Sequence, residues 1–225
     1  MLFRSVPFVH PLMMAKAGAT IDAISRGRFA LNIVCGWFDR EADMFGTRRL
    51  THDERYEYAA DWVTTLKRLW TEEKAFDAVS KYFEIKGAMS QPKPLQRPHP
   101  PLMNAGGSTT GQTFVARHCD IAFVVPRGDD DALFARQIDE YRELARKESG
   151  REIQVWTSGY VSLAESIAEA EKFIDYYAIE HGDEPHVEGF ITENAVRSRI
   201  TDPAVIAKLK RTLKAGTGEI GRAHV

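Results

Sequence analysis

Phe29-Ala30-Leu31-Asn32-Ile33-Val34 and Ile121-Ala122-Phe123-Val124-Val125 are apolar runs with almost no polar alternation. Strands of this kind are buried on both faces, the pattern of a parallel sheet covered by helices. Amphipathic stretches lie between such runs. Met14, Ala17, Ile21 and Ile24 recur at helical spacing over Met13 to Ile24, and Gly27 follows where a helix end calls for a left-handed residue. Thr51 and Glu54 form an S/T-x-x-E capping box, and Ala59, Trp62, Val63, Leu66, Leu69 and Trp70 then trace one apolar face.

The alternation continues to the far end of the chain. Phe76 to Ala88 is expected as a small hairpin, and Gln91 to Pro101, with five prolines, as a rigid non-helical connector. Leu102 to Ala105 reads as a strand, Gly106-Gly107-Ser108 as a turn and Thr109 to His118 as a helix. A helix follows over Asp129 to Lys147, with Leu133, Phe134, Ile138, Tyr141, Leu144 and Ala145 facing inward. Val155 to Leu163 is expected as a strand and Ser166 to Ile179 as a helix. Strand and helix in turn give an α/β fold with a parallel sheet.

Composition narrows the function classes. The 225 residues carry a net charge of -2, so no basic field argues for nucleic acid. No apolar run approaches the ~20 residues of a membrane span. Two cysteines, Cys35 and Cys119, fit a reducing compartment and so the cytoplasm. Metal-binding, P-loop, serine-hydrolase and G-x-G-x-x-G dinucleotide motifs are missing, and the seven histidines do not cluster at metal spacing.

In parallel α/β folds, sites lie at the carboxyl ends of strands. Asn32 interrupts an apolar strand; it is either a satisfied core amide or an amide aimed at a ligand. Gly106-Gly107-Ser108 is either a capped tight turn or an anion cradle at a helix N-terminus. Arg55 and Tyr56 either lie on a solvated first turn or contact a phosphate or carboxylate and an aromatic ligand. Trp37 and Phe38 follow Gly36, as a pocket wall or as rim packing, and Glu41 reads as a surface acid. Cys35 has no paired histidine and reads as a small apolar filler.

Taken jointly, the motifs resemble a known family. His10-Pro11-Leu12, Ala15-Lys16, Asp22, Ser25-Arg26-Gly27-Arg28-Phe29, Leu31 to Trp37 and Met44-Phe45-Gly46 look like the luciferase-like flavin-dependent monooxygenases. So do His52-Asp53-Glu54-Arg55-Tyr56, Lys93-Pro94, Pro100-Pro101 and Asn104-Ala105-Gly106-Gly107-Ser108. The likeness spans His10 to about Leu163 and is greatest to the branch of pyrimidine, dimethylsulfone and alkanesulfonate monooxygenases.

The resemblance implies a (β/α)8 TIM barrel and reduced FMN, with the deazaflavin F420 as the alternative. It assigns Asn32, Glu41, Arg55, Tyr56, Gly106, Gly107 and Ser108 to the flavin, with the last three at its phosphate. It singles out no catalytic residue. Reduced FMN and O2 would give a C4a-peroxide that oxygenates a small organic substrate. A separate NAD(P)H-dependent flavin reductase would supply the cofactor, and the full-length protein would form a homo-oligomer. An F420-dependent oxidoreductase of the same fold, or a non-catalytic flavin-binding relative, is the alternative function. Where alkanesulfonate enzymes carry an Arg and a His, this chain has Ser158 and Tyr160, which argues against a sulfonate substrate.

The resemblance also sets an expectation about length. A (β/α)8 barrel usually takes about 250 residues. Val6 to His10 resembles the end of the third barrel strand, so about strands 3 to 7 are expected, in one partial barrel domain over residues 1–218. Residues 219–225, Glu-Ile-Gly-Arg-Ala-His-Val, match what a common sequencing adapter encodes and are expected to be a non-native tail.

Overall fold

The computed structural model describes residues 2–36, 39–124, 131–158, 162–181 and 189. Expectations for Trp37, Phe38, Val125, Asp129, Tyr160 and the tail 219–225 lie outside the described residues. The chain divides into two compact units, Met1–Val124 with Arg136–Trp156, and Val125–Ala135 with Thr157–Val225. The candidate site residues all belong to the first.

That first unit is built on a parallel sheet of five strands: β1 (Leu2–Ser5), β2 (Leu31–Val34), β5 (Leu102–Asn104), β6 (Ile121–Phe123) and β7 (Gln154–Trp156). Their order is β1-β2-β5-β6-β7. Leu31 pairs with Leu102, Met103 with Ile121 and Ala122 with Val155. Neighbouring parallel strands joined through helices are what the alternating sequence pattern dictates. The sheet is a five-strand arc of the (β/α)8 barrel. A separate antiparallel pair, β3 (Phe76–Val79) and β4 (Glu84–Ala88), forms the expected hairpin.

The helices of this unit are α1 (Pro11–Ile24), α2 (Asp39–Met44), α3 (His52–Thr71), α4 (Thr109–His118) and most of α5 (Asp131–Ser149). The apolar face of α3 is the centre of the core: Ala59, Trp62, Val63, Leu66, Leu69 and Trp70 are all buried. Its two indoles also close long-range hydrogen bonds. Trp62 donates to the Val9 carbonyl at 2.7 Å and Trp70 to the Ala15 carbonyl at 3.1 Å. Gly18 on α1 lets Trp70 approach, since a β-carbon there would sit 2.8 Å from the indole. Asp22 is fully buried and holds both the backbone N–H and the side-chain amide of Gln96.

Helix α3 starts where the capping box places it. Thr51 Oγ1 accepts from the Glu54 N–H at 3.3 Å, and Glu54 returns a carboxylate to the Thr51 N–H at 2.9 Å. Thr51→Ala is expected to cost about 1 kcal/mol, read as a lowered midpoint in a denaturant melt.

Several boundaries differ from expectation. Helix α1 begins at Pro11 rather than Met13, because His10 Nδ1 caps it by accepting from the Leu12 N–H at 3.2 Å. Strand β2 begins at Leu31 rather than Phe29, where the Leu31 N–H reaches the Pro101 carbonyl at 3.0 Å. On α5 the buried residues are Gln137, Tyr141 and Ala145, while Leu133 is 37% exposed. Strand β7 spans Gln154–Trp156 rather than running to Leu163.

In the second unit, Ser166 caps α6 (Ile167–Ile174), which widens into a π-turn over Asp175–Glu180 instead of continuing as α-helix to Ile179. Among the described residues, no helix is long and apolar enough to cross a membrane.

Candidate active site

The carboxyl ends of β2 and β5 are tied together by one amide. Asn104, 4% exposed at the end of β5, donates from Nδ2 to the Ile33 carbonyl at 2.6 Å and to Cys35 Sγ at 3.6 Å. Its Oδ1 accepts the Gly106 N–H at 2.8 Å. The Gly106 carbonyl takes the Tyr141 hydroxyl, also at 2.8 Å. The turn after β5 is therefore fixed at both backbone polar groups of Gly106.

Glycine is required at Gly106 by contact rather than by φ. A β-carbon there would stand 2.7 Å from the Gly111 α-carbon, so the turn lies directly on the first turn of α4. Gly111 in turn lets in Tyr56, whose hydroxyl would be 2.6 Å from a β-carbon at that position. Gly107, by contrast, has nothing within 4 Å of its added β-carbon. The result is a close-packed floor with open space above Gly107, beside the N-terminus of α4.

Ser108 caps that helix, accepting the Gly111 N–H at 3.1 Å. Its hydroxyl also meets His52 Nε2 at 3.0 Å. His52 Nδ1 lies 2.9 Å from Asp53 Oδ1, and Asp53 accepts the Thr110 hydroxyl at 3.0 Å. The N-termini of α3 and α4 are thus stitched together by side chains. Hydrogen bonds from His52 and Thr110 hold the Asp53 carboxyl below the usual carboxylate range.

Tyr56 completes the group. Its ring makes an edge contact with His52 at 5.2 Å, and its hydroxyl is close enough to interact with Ser108. Burial, helped by the nearby Cys35, pushes Tyr56 up to about 12. Near neutral pH it keeps its hydroxyl proton. Arg55 lies one residue back, its side chain only 15% exposed and 3.7 Å from Asp39. It lines a shallow open recess with Pro7, Phe8, Gly36, Asp39 and Arg48.

Asn32 is 3% exposed on β2, and its Oδ1 has no hydrogen-bond partner. A buried amide oxygen in that state is costly unless a ligand or a water supplies the donor. Glu41 is half-buried on α2. Among the described residues its carboxylate makes no hydrogen bond or ion pair, and Asp39 is the α2 acid that reaches Arg55. The structure therefore brings Tyr56, Gly106, Gly107 and Ser108 together, sets Arg55 in the adjoining recess, and leaves Asn32 as a separate unfilled acceptor.

Asn104, Gly111 and Tyr141 were not among the expected site residues, although Tyr141 was expected to face inward. Asn104 carried the same signal as Asn32, a polar residue closing an apolar strand. Gly111 carried another, a glycine inside a helix where it costs about 1 kcal/mol.

Cys35 is no nucleophile. Burial pushes its thiol up to about 12, against a smaller lowering from the Asn104 hydrogen bond. The native protein is expected to resist iodoacetamide at pH 8 at both cysteines, as both are buried, and to react after unfolding. Mass spectrometry reads the difference.

The turn that ends β5 thus lies against the first turn of α4, beside Arg55 and Tyr56 in the first turns of α3. The sequence profile of the luciferase-like monooxygenases matches residues 3–223. The chain belongs to that family.

Its relatives agree. An FMNH2-dependent dimethylsulfone monooxygenase from Pseudomonas putida is 31% identical over 183 residues, 81% of this chain and 49% of that protein. The pyrimidine monooxygenase RutA of Allorhizobium ampelinum is 34% identical over 157 residues, 67% of this chain and 42% of that protein. The crystal structure of DmoA from Hyphomicrobium sulfonivorans superposes with a TM-score of 0.74 at 20% identity, covering 94% of this chain and 52% of that one. The chain spans about half the length of the curated relatives it matches.

Proposed function

We propose that the protein is the oxygenase of a two-component system, using reduced FMN and O2 to oxygenate a small organic substrate. The observation that carries this reading is the Gly106-Gly107-Ser108 cradle at the N-terminus of α4, in a chain 31% identical to an FMNH2-dependent monooxygenase.

The residues present fit the cofactor. The first amides of α4 lack acceptors one turn back, and apart from the Gly111 N–H, which Ser108 takes, they are the kind of donor a phosphate uses at a helix N-terminus. Ser108 and Tyr56 add hydroxyl donors, and Arg55 adds a fixed positive charge beside the recess. The unpartnered Asn32 Oδ1 offers an acceptor to a ring N–H of the flavin. When bound, the reduced flavin supplies the electrons that activate O2. The chain's own part is to hold the phosphate, orient the ring and keep water from it.

The substrate class this reading supports is neutral and small, such as a sulfone or a pyrimidine. A separate NAD(P)H-dependent reductase supplies the flavin, in the cytoplasm, to a homo-oligomer of the full-length protein. The test is to titrate the protein with reduced FMN and with reduced F420, then to follow O2-dependent product formation from dimethylsulfone and from uracil. Preferential FMN binding with oxygenated product is expected. Turnover with F420 in the absence of O2 would overturn the reading.

A further inference from the structure

We infer that Arg55 binds the substrate, donating to an oxygen of a small uncharged molecule, and that Asp39 cancels its charge and so turns anions away. This rests on the oxygenase reading proposed above. It names the group the substrate presents, a neutral acceptor oxygen such as that of a sulfone or a cyclic amide.

The placement comes from the sheet. Pro7 and Phe8 follow the carboxyl end of β1, and Gly36 follows that of β2. These residues line one recess with Arg55 and Asp39. Gly36 has a φ of +83°, and a β-carbon there would stand 3.1 Å from Pro7 Cγ and 3.9 Å from Arg55 Cδ. Glycine therefore lets Pro7 close on the end of β2, with the Arg55 stem alongside. The ends of parallel strands are where α/β folds bind ligands. The order β1-β2-β5 sets this recess on the far side of β2 from the Gly106-Gly107-Ser108 turn, and none of those three residues lines it. A flavin with its phosphate at β5 and its ring toward Asn32 on β2 leaves the β1 side for the substrate.

The state of the guanidinium carries the inference. Three arginines line the recess, and each faces an acid. Arg48 bonds Glu54 at 3.0 Å, and Arg49 takes both carboxylate oxygens of Asp43. Those two arginines are exposed and hydrogen-bonded. Arg55 is the reverse. Its side chain is 15% exposed, Asp39 stands 3.7 Å away, and among the described residues its guanidinium makes no hydrogen bond. A mostly buried fork of N–H donors is costly to leave without acceptors. Water meets that need in the free protein, and a substrate oxygen entering the recess takes its place.

Charge then selects among acceptors. An isolated arginine would favour an anion. Asp39, its side chain 48% exposed, brings the opposite charge to the same recess. The other two arginines are already matched by Glu54 and Asp43. An anionic ligand must displace Asp39 or face it, whereas a neutral acceptor does neither. Phe8, stacked on Phe45 with ring centroids 4.6 Å apart, gives the recess an apolar wall for the rest of the molecule.

The experiment measures dissociation constants by calorimetry on the FMN-loaded full chain. The probes are dimethylsulfone against methanesulfonate, and uracil against orotate; in each pair the second compound carries a negative charge. A neutral probe is expected to bind, and its anionic partner to bind at least about tenfold more weakly. Asp39→Asn should raise the anion's affinity relative to its neutral partner about tenfold. Arg55→Met, which keeps the stem and removes the donors, should weaken the neutral probe about tenfold. Arg55→Lys, which keeps the charge and loses the fork, should also weaken it and serves if the methionine variant melts early. Riboflavin lacks the phosphate of FMN, and the ratio of the two flavin affinities should change less than about threefold in either Arg55 variant. A selective loss of FMN would place the guanidinium at the phosphate and overturn the inference while leaving the oxygenase reading. Failure of both neutral probes to bind, or an unchanged preference in Asp39→Asn, would overturn it as well. The expected binding pattern without oxygenated product would overturn the oxygenase reading and leave the recess as a site for neutral acceptors.

Discussion

Replacing Ser108 with Asp is expected to weaken FMN binding about a thousandfold and to leave the fold intact. The two halves of that expectation have separate causes. Aspartate is as good an N-cap as serine, so the carboxylate takes over the Gly111 N–H and α4 keeps its start. The same carboxylate meets the flavin phosphate across the cradle. Two like charges about 4 Å apart repel by about 4 kcal/mol per unit charge in a surface-like dielectric. At about 1.4 kcal/mol per tenfold, that gives the factor of about a thousand. Riboflavin provides the control, because its affinity should change little. An equal loss for both flavins would point to local unfolding rather than charge.

Gly106→Ala should damage both the fold and the site. The new methyl would sit 2.7 Å from the Gly111 α-carbon and 2.8 Å from Asn104 Oδ1. Neither is the free end of a flexible side chain: one is helix backbone, and the other is held by its bond to the Gly106 N–H. The turn must lift off α4, taking Ser108 away from His52. A cost of about 1–3 kcal/mol is expected for overpacking at such a contact. FMN affinity should fall by more than about tenfold with it, since a displaced donor contributes little. Gly107→Ala meets nothing within 4 Å and should melt like the wild type. Equal melting temperatures and equal FMN affinities for wild type and Gly106→Ala would refute the close-packed floor.

Features encoded within a few residues were legible in the sequence. The capping box at Thr51 and Glu54, the hairpin and the strand–turn–helix unit around Gly106 each depend on neighbours along the chain. The buried faces of α3 were legible because five turns of regular spacing outweigh local exceptions. On α5 the phase was misread at Leu133, because a long charged helix offers several rotations of similar hydrophobicity and tertiary packing selects one. The start of α1 was missed because a histidine cap is a rarer signal than Ser, Thr or Asp.

The candidate site divides along the same line. Its glycines and Ser108 announced themselves as a turn, and the resemblance supplied the reason to read the turn as a cradle. The pairing of His52 with Ser108 joins residues 56 positions apart. Asn104 reaches Ile33 across 71 positions. Such contacts exist only after β2, α3 and β5 have been laid side by side, so no local pattern carries them. Gly106 shows the same limit: its conformation is ordinary, and the reason for glycine is a helix that passes above it.

The most direct measurement is a crystal structure of the protein with FMN. The phosphate is expected above Gly107, within hydrogen-bonding distance of Ser108 Oγ and the first amides of α4, with a ring N–H of the flavin toward Asn32 Oδ1. A phosphate bound elsewhere, with the Gly106-Gly107-Ser108 turn untouched, would contradict the account.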